Sequence, residues 1–127
     1  MGKISRILVV DDEAEFCENV KHVLELEGYE VVTAYDGLQA IQMVKQNVPD
    51  MILMDINMPK MGGPEAFKKI REIVPRIPIA MMTAYSMDDA ITDTLKGACG
   101  FLDKPLSFDR LFTIIEDCGQ DQPPGRQ

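Results

Sequence analysis

Four apolar runs in this chain end in polar residues with chemistry in them. Ile7-Leu8-Val9-Val10 runs into Asp11-Asp12, and Met51-Ile52-Leu53-Met54 runs into Asp55. Ile79-Ala80-Met81-Met82 ends in Thr83, and Gly100-Phe101-Leu102 leads into Asp103-Lys104-Pro105. A lone carboxylate such as Asp55 is a nucleophile, a metal ligand or a well-bonded structural acid. Asp11-Asp12-Glu13 reads equally as an acidic cluster at the positive end of the helix that follows. Thr83 taken alone is an ordinary strand threonine, and Lys104 taken alone is a surface lysine. Their common position, each just past an apolar run, is what makes the four worth reading together.

The elements that position them follow from periodicity. Short apolar runs bounded by breakers read as strands buried on both faces. Strands are expected over Ile4–Val10, Tyr29–Ala34, Met51–Asp55, Ile79–Thr83 and Gly100–Leu102. Between them lie helical patterns. The first carries Phe16, Val20, Val23, Leu24 and Leu26 and stops at Gly28. The second carries Leu38, Ile41, Met43 and Val44 after the Asp36-Gly37 turn signal. Pro64 opens the third, which runs through Phe67 and Ile70 to Ile73. A fourth, with a thin apolar face, is expected from Ser86 to Leu95, and Ser107 caps a last helix bearing Leu111, Phe112, Ile114 and Ile115. Strand and helix alternate five times, which predicts an α/β fold with a parallel sheet and helices on both of its faces. One domain is expected over residues 3–118, and residues 119–127 read as a polar tail or the start of a linker.

Composition narrows the class. The chain has 127 residues, 46% of them hydrophobic, and a net charge of −8. That is enough chain for one sizeable core. The acidic balance argues against a nucleic-acid surface, which needs a basic patch. No apolar run approaches the roughly 20 residues of a membrane span, so a cytoplasmic location is expected. Cys17, Cys99 and Cys118 are odd in number and lack paired spacing; free thiols, not a disulfide or a zinc site, are expected. His22 has no ligand partner at useful spacing and reads as a surface residue. The methionines Met54, Met58, Met61, Met81 and Met82 read as packing residues.

The ordered set Asp11-Asp12, Asp55 with Met58-Pro59 and Met61-x-Gly63, Thr83-Ala84 and Lys104-Pro105 resembles the receiver domain of a two-component response regulator, from about Lys3 to Cys118. The resemblance implies a flavodoxin-like, doubly wound five-stranded parallel sheet of order 2-1-3-4-5. That order would gather Asp11, Asp12 and Asp55 in one crevice, with Thr83 and Lys104 on its far side. Clustered ionised carboxylates repel one another unless a cation joins them, and oxygen-only ligands favour a hard divalent ion, Mg²⁺ or Mn²⁺.

The resemblance assigns the roles. Asp55 would accept a phosphoryl group from a sensor histidine kinase or phosphotransfer protein. Asp12, Asp55 and the backbone carbonyl of Asn57 would bind the metal directly, and Asp11 would act through a bound water. Thr83 and Lys104 would contact the phosphoryl group. Thr83 and Phe101 would switch together and reshape the face made by the fourth helix, fifth strand and last helix, which would meet an output domain or target protein. Asn57 and Tyr85 would tune dephosphorylation, and Pro105 would follow a cis bond. The chain would be a signalling domain, not an enzyme beyond its own phosphorylation and slow dephosphorylation. Its rivals are a docking-only receiver, an aspartyl-nucleophile phosphatase and a flavin or nucleotide module. The phosphatase would put its nucleophile in an Asp-x-Asp pattern after the first strand, where this chain has Asp11-Asp12-Glu13. The same acids would repel a nucleotide phosphate.

Overall fold

The computed structural model describes residues 4–84, 93 and 95–120. Five strands form one parallel sheet: β1 (Arg6–Val10), β2 (Glu30–Ala34), β3 (Met51–Asp55), β4 (Ile79–Thr83) and β5 (Gly100–Asp103). Their order is β2-β1-β3-β4-β5, the doubly wound arrangement that the resemblance implied. Helices α1 (Ala14–Leu26), α2 (Gly37–Gln46) and α3 (Gly63–Ile73) connect the strands, and a C-terminal helix spans Phe108–Gln120. The helix expected from Ser86 and most of the polar tail lie outside the described residues. The C-terminal helix continues to Gln120, past the Cys118 boundary expected from sequence.

Side chains of a strand alternate between faces, and here each face meets its own pair of helices. Leu8, Val10, Ile52, Met54, Ile79 and Met81 pack with Ala40, Ile41 and Val44 of α2 and Ala66, Phe67 and Ile70 of α3. Ile7, Val9, Met51, Leu53, Ala80 and Met82 pack with Cys17, Val20 and Leu24 of α1 and with Leu111, Ile114 and Ile115 of the C-terminal helix. All five residues of β3 are buried, as are all five of β4. Each fully buried aliphatic side chain contributes about 1.5–3 kcal/mol, so these central strands are the most strongly held backbone in the fold. The site residues at their C-terminal ends therefore stand on a rigid base.

Helix ends follow local rules. Asp36 caps α2 by accepting from the Gln39 amide at 2.8 Å. Ser107 accepts from the Arg110 amide at 3.3 Å and caps the C-terminal helix. Gly28, at φ 98°, ends α1 in the left-handed region. Three apolar positions assigned to helical patterns are exposed instead: Leu26, 72% accessible in the last turn of α1, Leu38, 48% accessible in the first turn of α2, and Ile73, 38% accessible at the end of α3. Each lies at a helix end, beyond the reach of the sheet.

The cysteine expectation is corrected by the structure. Cys99 and Cys118 form a disulfide, with Cα atoms 5.6 Å apart. Nothing in a 19-residue separation signals this pairing. It arises because the last turn of the C-terminal helix lies over the start of β5. Only Cys17 is a free thiol, and it is buried.

Candidate functional site

Asp11 is the innermost acid of the site, with no accessible surface. Its amide donates to the Ala34 carbonyl at 3.1 Å, which continues the β1–β2 ladder by one residue. Its Oδ1 accepts from the Glu13 amide at 2.9 Å, and its other oxygen accepts from Lys104 Nζ at 2.5 Å. Asp12, one residue later, is exposed. Asp55 closes β3 and is 5% exposed. The carboxylates of Asp11, Asp12 and Asp55 each bring an oxygen within 4.8 Å of the others. Lys104 Nζ lies 3.4 Å from Asp55 Oδ1 and bridges two of the three acids.

Backbone bonds fix this geometry. The Ile56 amide donates to the Met82 carbonyl at 2.9 Å, and the Lys104 amide donates to the Thr83 carbonyl at 2.8 Å. Thr83 is buried at the end of β4, opposite Asp103 in the β4–β5 register. The Lys104–Pro105 peptide bond is cis. After Asp55 the chain makes a tight loop that the Gly63 amide closes on the Ile56 carbonyl at 2.8 Å. Asp12, Asn57, Met58, Pro59 and Pro64 line a cleft beside this loop. Asn57 is exposed there, whereas Phe101 is half-buried against the α2–α3 side of the core. Tyr85 lies outside the described residues.

Burial and crowded like charges set the electrostatics of the site. Burial, with the negative charge of Asp11 next, pushes the Asp55 carboxyl up to about 6, against the downward pull of Lys104. For Lys104, burial works to lower the pKa, but the hydrogen bonds and charges of Asp11 and Asp55 outweigh it and the net shift is upward. One ammonium cannot balance three neighbouring carboxylates. An all-oxygen donor set with excess negative charge suits a hard divalent cation, so these residues fit such an ion.

Two neighbours were not legible as site residues. Phe16 of α1 lies under Lys104, with Nζ 4.4 Å from the ring centroid. Cys17 donates from Sγ to the Asp11 carbonyl at 3.3 Å. In sequence, Phe16 is one apolar position on a helical face, and nothing there marks it as the partner of a lysine 88 positions away.

A stability prediction follows from Asp55. Its folded-state pKa stands above its ordinary value of 3.8, so the folded chain holds the proton more tightly than the unfolded one. Stability then falls as pH rises from about 4 to about 6 and stays lower above that window. Asp55→Asn removes the ionisation and should stabilise the fold by about 2–3 kcal/mol at pH 7, at about 1.4 kcal/mol per pKa unit. At pH 4 the gain should nearly vanish. Urea midpoints at the two pH values check this; an equal gain at both would detach it from the Asp55 charge.

Comparison with known proteins places this geometry. The chain is 45% identical over 117 residues to the transcriptional regulatory protein ZraR of Klebsiella oxytoca, and 36% identical over 117 residues to the regulatory protein AtoC of Escherichia coli. Each match covers 91% of this chain, which spans about a quarter of the length of these relatives. Among solved structures, a CheY-like response regulator receiver domain protein from Methanospirillum hungatei superposes with a TM-score of 0.88 at 28% identity, covering 94% of this chain and 97% of that one. The response regulator protein TrrA from Thermotoga maritima, solved in complex with Mg(2+)-BeF, superposes with a TM-score of 0.81 at 33% identity, covering 91% and 99%. Residues 7–116 match the response regulator receiver domain family, to which this chain belongs.

Proposed function

We propose that the chain is a phosphoryl-accepting switch in a two-component phosphorelay, with Asp55 as the phosphoacceptor. The observation that carries this is the buried Asp55 carboxylate, flanked by Asp11 and Asp12 and lying 3.4 Å from Lys104 Nζ. With a pKa raised only to about 6, Asp55 is ionised at neutral pH and available as a nucleophile. One of its oxygens attacks the phosphorus of a phosphohistidine on a partner kinase or phosphotransfer protein. The new O–P bond forms as the P–N bond breaks, and the imidazole leaves with the bonding pair. The product is an aspartyl phosphate.

Asp11, Asp12, Asp55 and the Asn57 carbonyl would hold Mg²⁺ or Mn²⁺. Such an ion, when bound, offsets the carboxylate charge and neutralises charge building on the transferred group. Lys104 supplies a positive charge beside Asp55 and is already oriented by Asp11. Thr83, buried at the end of β4, offers its hydroxyl to a phosphoryl oxygen. The site's task is positioning and charge stabilisation, which is most of what phosphoryl transfer asks of a protein.

Phosphorylation then biases Thr83 and Phe101 inward, reshaping the surface near β5 and the C-terminal helix for an output domain or target. By their sequence positions in the family pattern, Asn57 and Tyr85 would tune loss of the phosphoryl group. ZraR is a transcriptional regulatory protein by name and AtoC a regulatory protein, and we extend to this chain a receiver role inside a regulator of that kind, in the cytoplasm.

Incubation with Mg²⁺ and acetyl phosphate, followed by intact-mass measurement, tests this. The expected result is one added phosphoryl group that is absent in Asp55→Ala and absent when the metal is chelated. An adduct that persists in Asp55→Ala would reject Asp55 as acceptor. No adduct from either the small donor or a cognate kinase would favour a docking-only receiver.

A further inference from the structure

We propose that Cys99 and Cys118 form a reversible dithiol–disulfide switch that fastens the end of the C-terminal helix to the start of β5. The two residues meet for structural reasons that do not depend on the bond. Gly100 has no side chain, and a Cβ there would lie 2.7 Å from Ile114 Cδ1. The helix thus sits directly on the strand. Cys118 is one helical turn beyond Ile114 on the same face, which carries it over Cys99. The Cys99 backbone is held in place by its amide bond to the Ile79 carbonyl at 2.8 Å. A Cα separation of 5.6 Å is within the bridging range.

Three observations favour a switch over a permanent staple. The fold has a core on both sheet faces and does not need a cross-link to complete it. Cys99 is half-buried and is the more exposed of the pair, while Cys118 is buried, which suits them to the attacking and resolving roles. The third thiol, Cys17, is held apart in the interior, and burial, with the Asp11 charge next, pushes it up to about 12. Only one pair is therefore placed to react.

The chemistry balances with a small-molecule disulfide such as oxidised glutathione. The Cys99 thiolate attacks one of its sulfurs, forming a mixed disulfide and releasing one glutathione thiolate. The Cys118 thiolate then displaces the second. Two protein thiols are oxidised, one glutathione disulfide is reduced to two thiols, and the protons lost by the cysteines appear on the glutathiones. The bond encloses Phe101 and Lys104 in the closed loop. Its effect on signalling rests on the function proposed above: closure would hold β5 and the C-terminal helix together and restrain their rearrangement.

The test equilibrates the chain in glutathione buffers of graded redox ratio, quenches in denaturant with an alkylating reagent and counts the added groups by mass. Three groups are expected under reducing conditions and one, on Cys17, under oxidising conditions. Cys99→Ser should give two throughout, whereas Cys118→Ala should give two under reducing conditions and, under oxidising ones, one with an unresolved glutathione adduct on Cys99. In the oxidised wild type, hydrogen exchange at the end of the C-terminal helix should be at least 10-fold slower than in the reduced form, a difference lost in both variants. In the wild type, three groups at every ratio would overturn the proposal, and so would one group at every ratio, a stable glutathione adduct on Cys99, or equal exchange in both forms. Asp55→Ala should give the wild-type counts, so failure of the phosphoryl-accepting reading would leave this result standing.

Discussion

Lys104→Met is expected to destabilise the protein by about 3–5 kcal/mol at pH 7, the usual cost of stranding one partner of a buried ion pair. Methionine keeps most of the stem that lies against Phe16, so lost packing contributes little. What disappears is the one cation that, among the described residues, pairs with Asp11, which has no exposed surface and receives its 2.5 Å hydrogen bond from Nζ. The same change removes the two Lys104 effects that hold the Asp55 carboxyl down, so its pKa moves above about 6. The pH dependence follows. With the folded-state value further above the unfolded one, stability is lost as pH rises across a wider window. The deficit should therefore be smaller at pH 5 than at pH 7.5. Millimolar Mg²⁺ should recover more stability in the variant than in the wild type, because the variant has the larger uncompensated negative charge. Urea titrations at both pH values, with and without Mg²⁺, measure all of this. A loss under about 1 kcal/mol would mean that solvent or backbone rearrangement neutralises Asp11 without help, which is the ordinary fate of exposed ion pairs.

The ion pair also shows which parts of the fold were legible in the sequence. The apolar runs ending at Val10, Met54, Met82 and Leu102 specify buried strands, and buried parallel strands put the residues that follow them at one edge of the sheet. Asp11, Asp55, Thr83 and Lys104 could thus be read as a group from their offsets alone. Which strands are neighbours could not. The order β2-β1-β3-β4-β5 came from family resemblance, and without it Asp11 and Asp55 would have no known separation. Contacts between elements were also hidden: Lys104 over Phe16, and Cys118 over Cys99. A periodic pattern records which side of a helix faces inward and carries no information about what waits there. For the same reason Leu26 and Leu38 were assigned to buried faces that end before reaching them.

Gly63 was read from sequence only as a family motif and a loop breaker, yet the structure gives it the most exacting steric role near the site. A Cβ at Gly63 would lie 2.4 Å from the Asp55 carbonyl oxygen and 2.7 Å from the Ile56 Cα. Both are backbone atoms, so no side-chain rotation relieves the clash. The Gly63 amide must also reach the Ile56 carbonyl to close the loop. Gly63→Ala therefore has two outcomes, a broken loop closure or a displaced Asp55. Overpacking of this kind costs about 1–3 kcal/mol or more, and with no soft neighbour to yield we expect the upper end. A displacement of order 1 Å at the acceptor should slow phosphorylation by about 100-fold. Gly62→Ala is the control. Its nearest neighbours would be the Ile56 carbonyl at 3.7 Å and Pro64 Cδ at 3.9 Å, ordinary contacts, and its φ of −71° suits any residue. Alanine there should cost under about 1 kcal/mol, for a poorer helix cap, and leave the phosphorylation rate within a few-fold. Urea midpoints and acetyl phosphate kinetics on the two variants separate the cases. Equal behaviour of the pair would mean that the Asp55 backbone is not held by the close approach of Gly63.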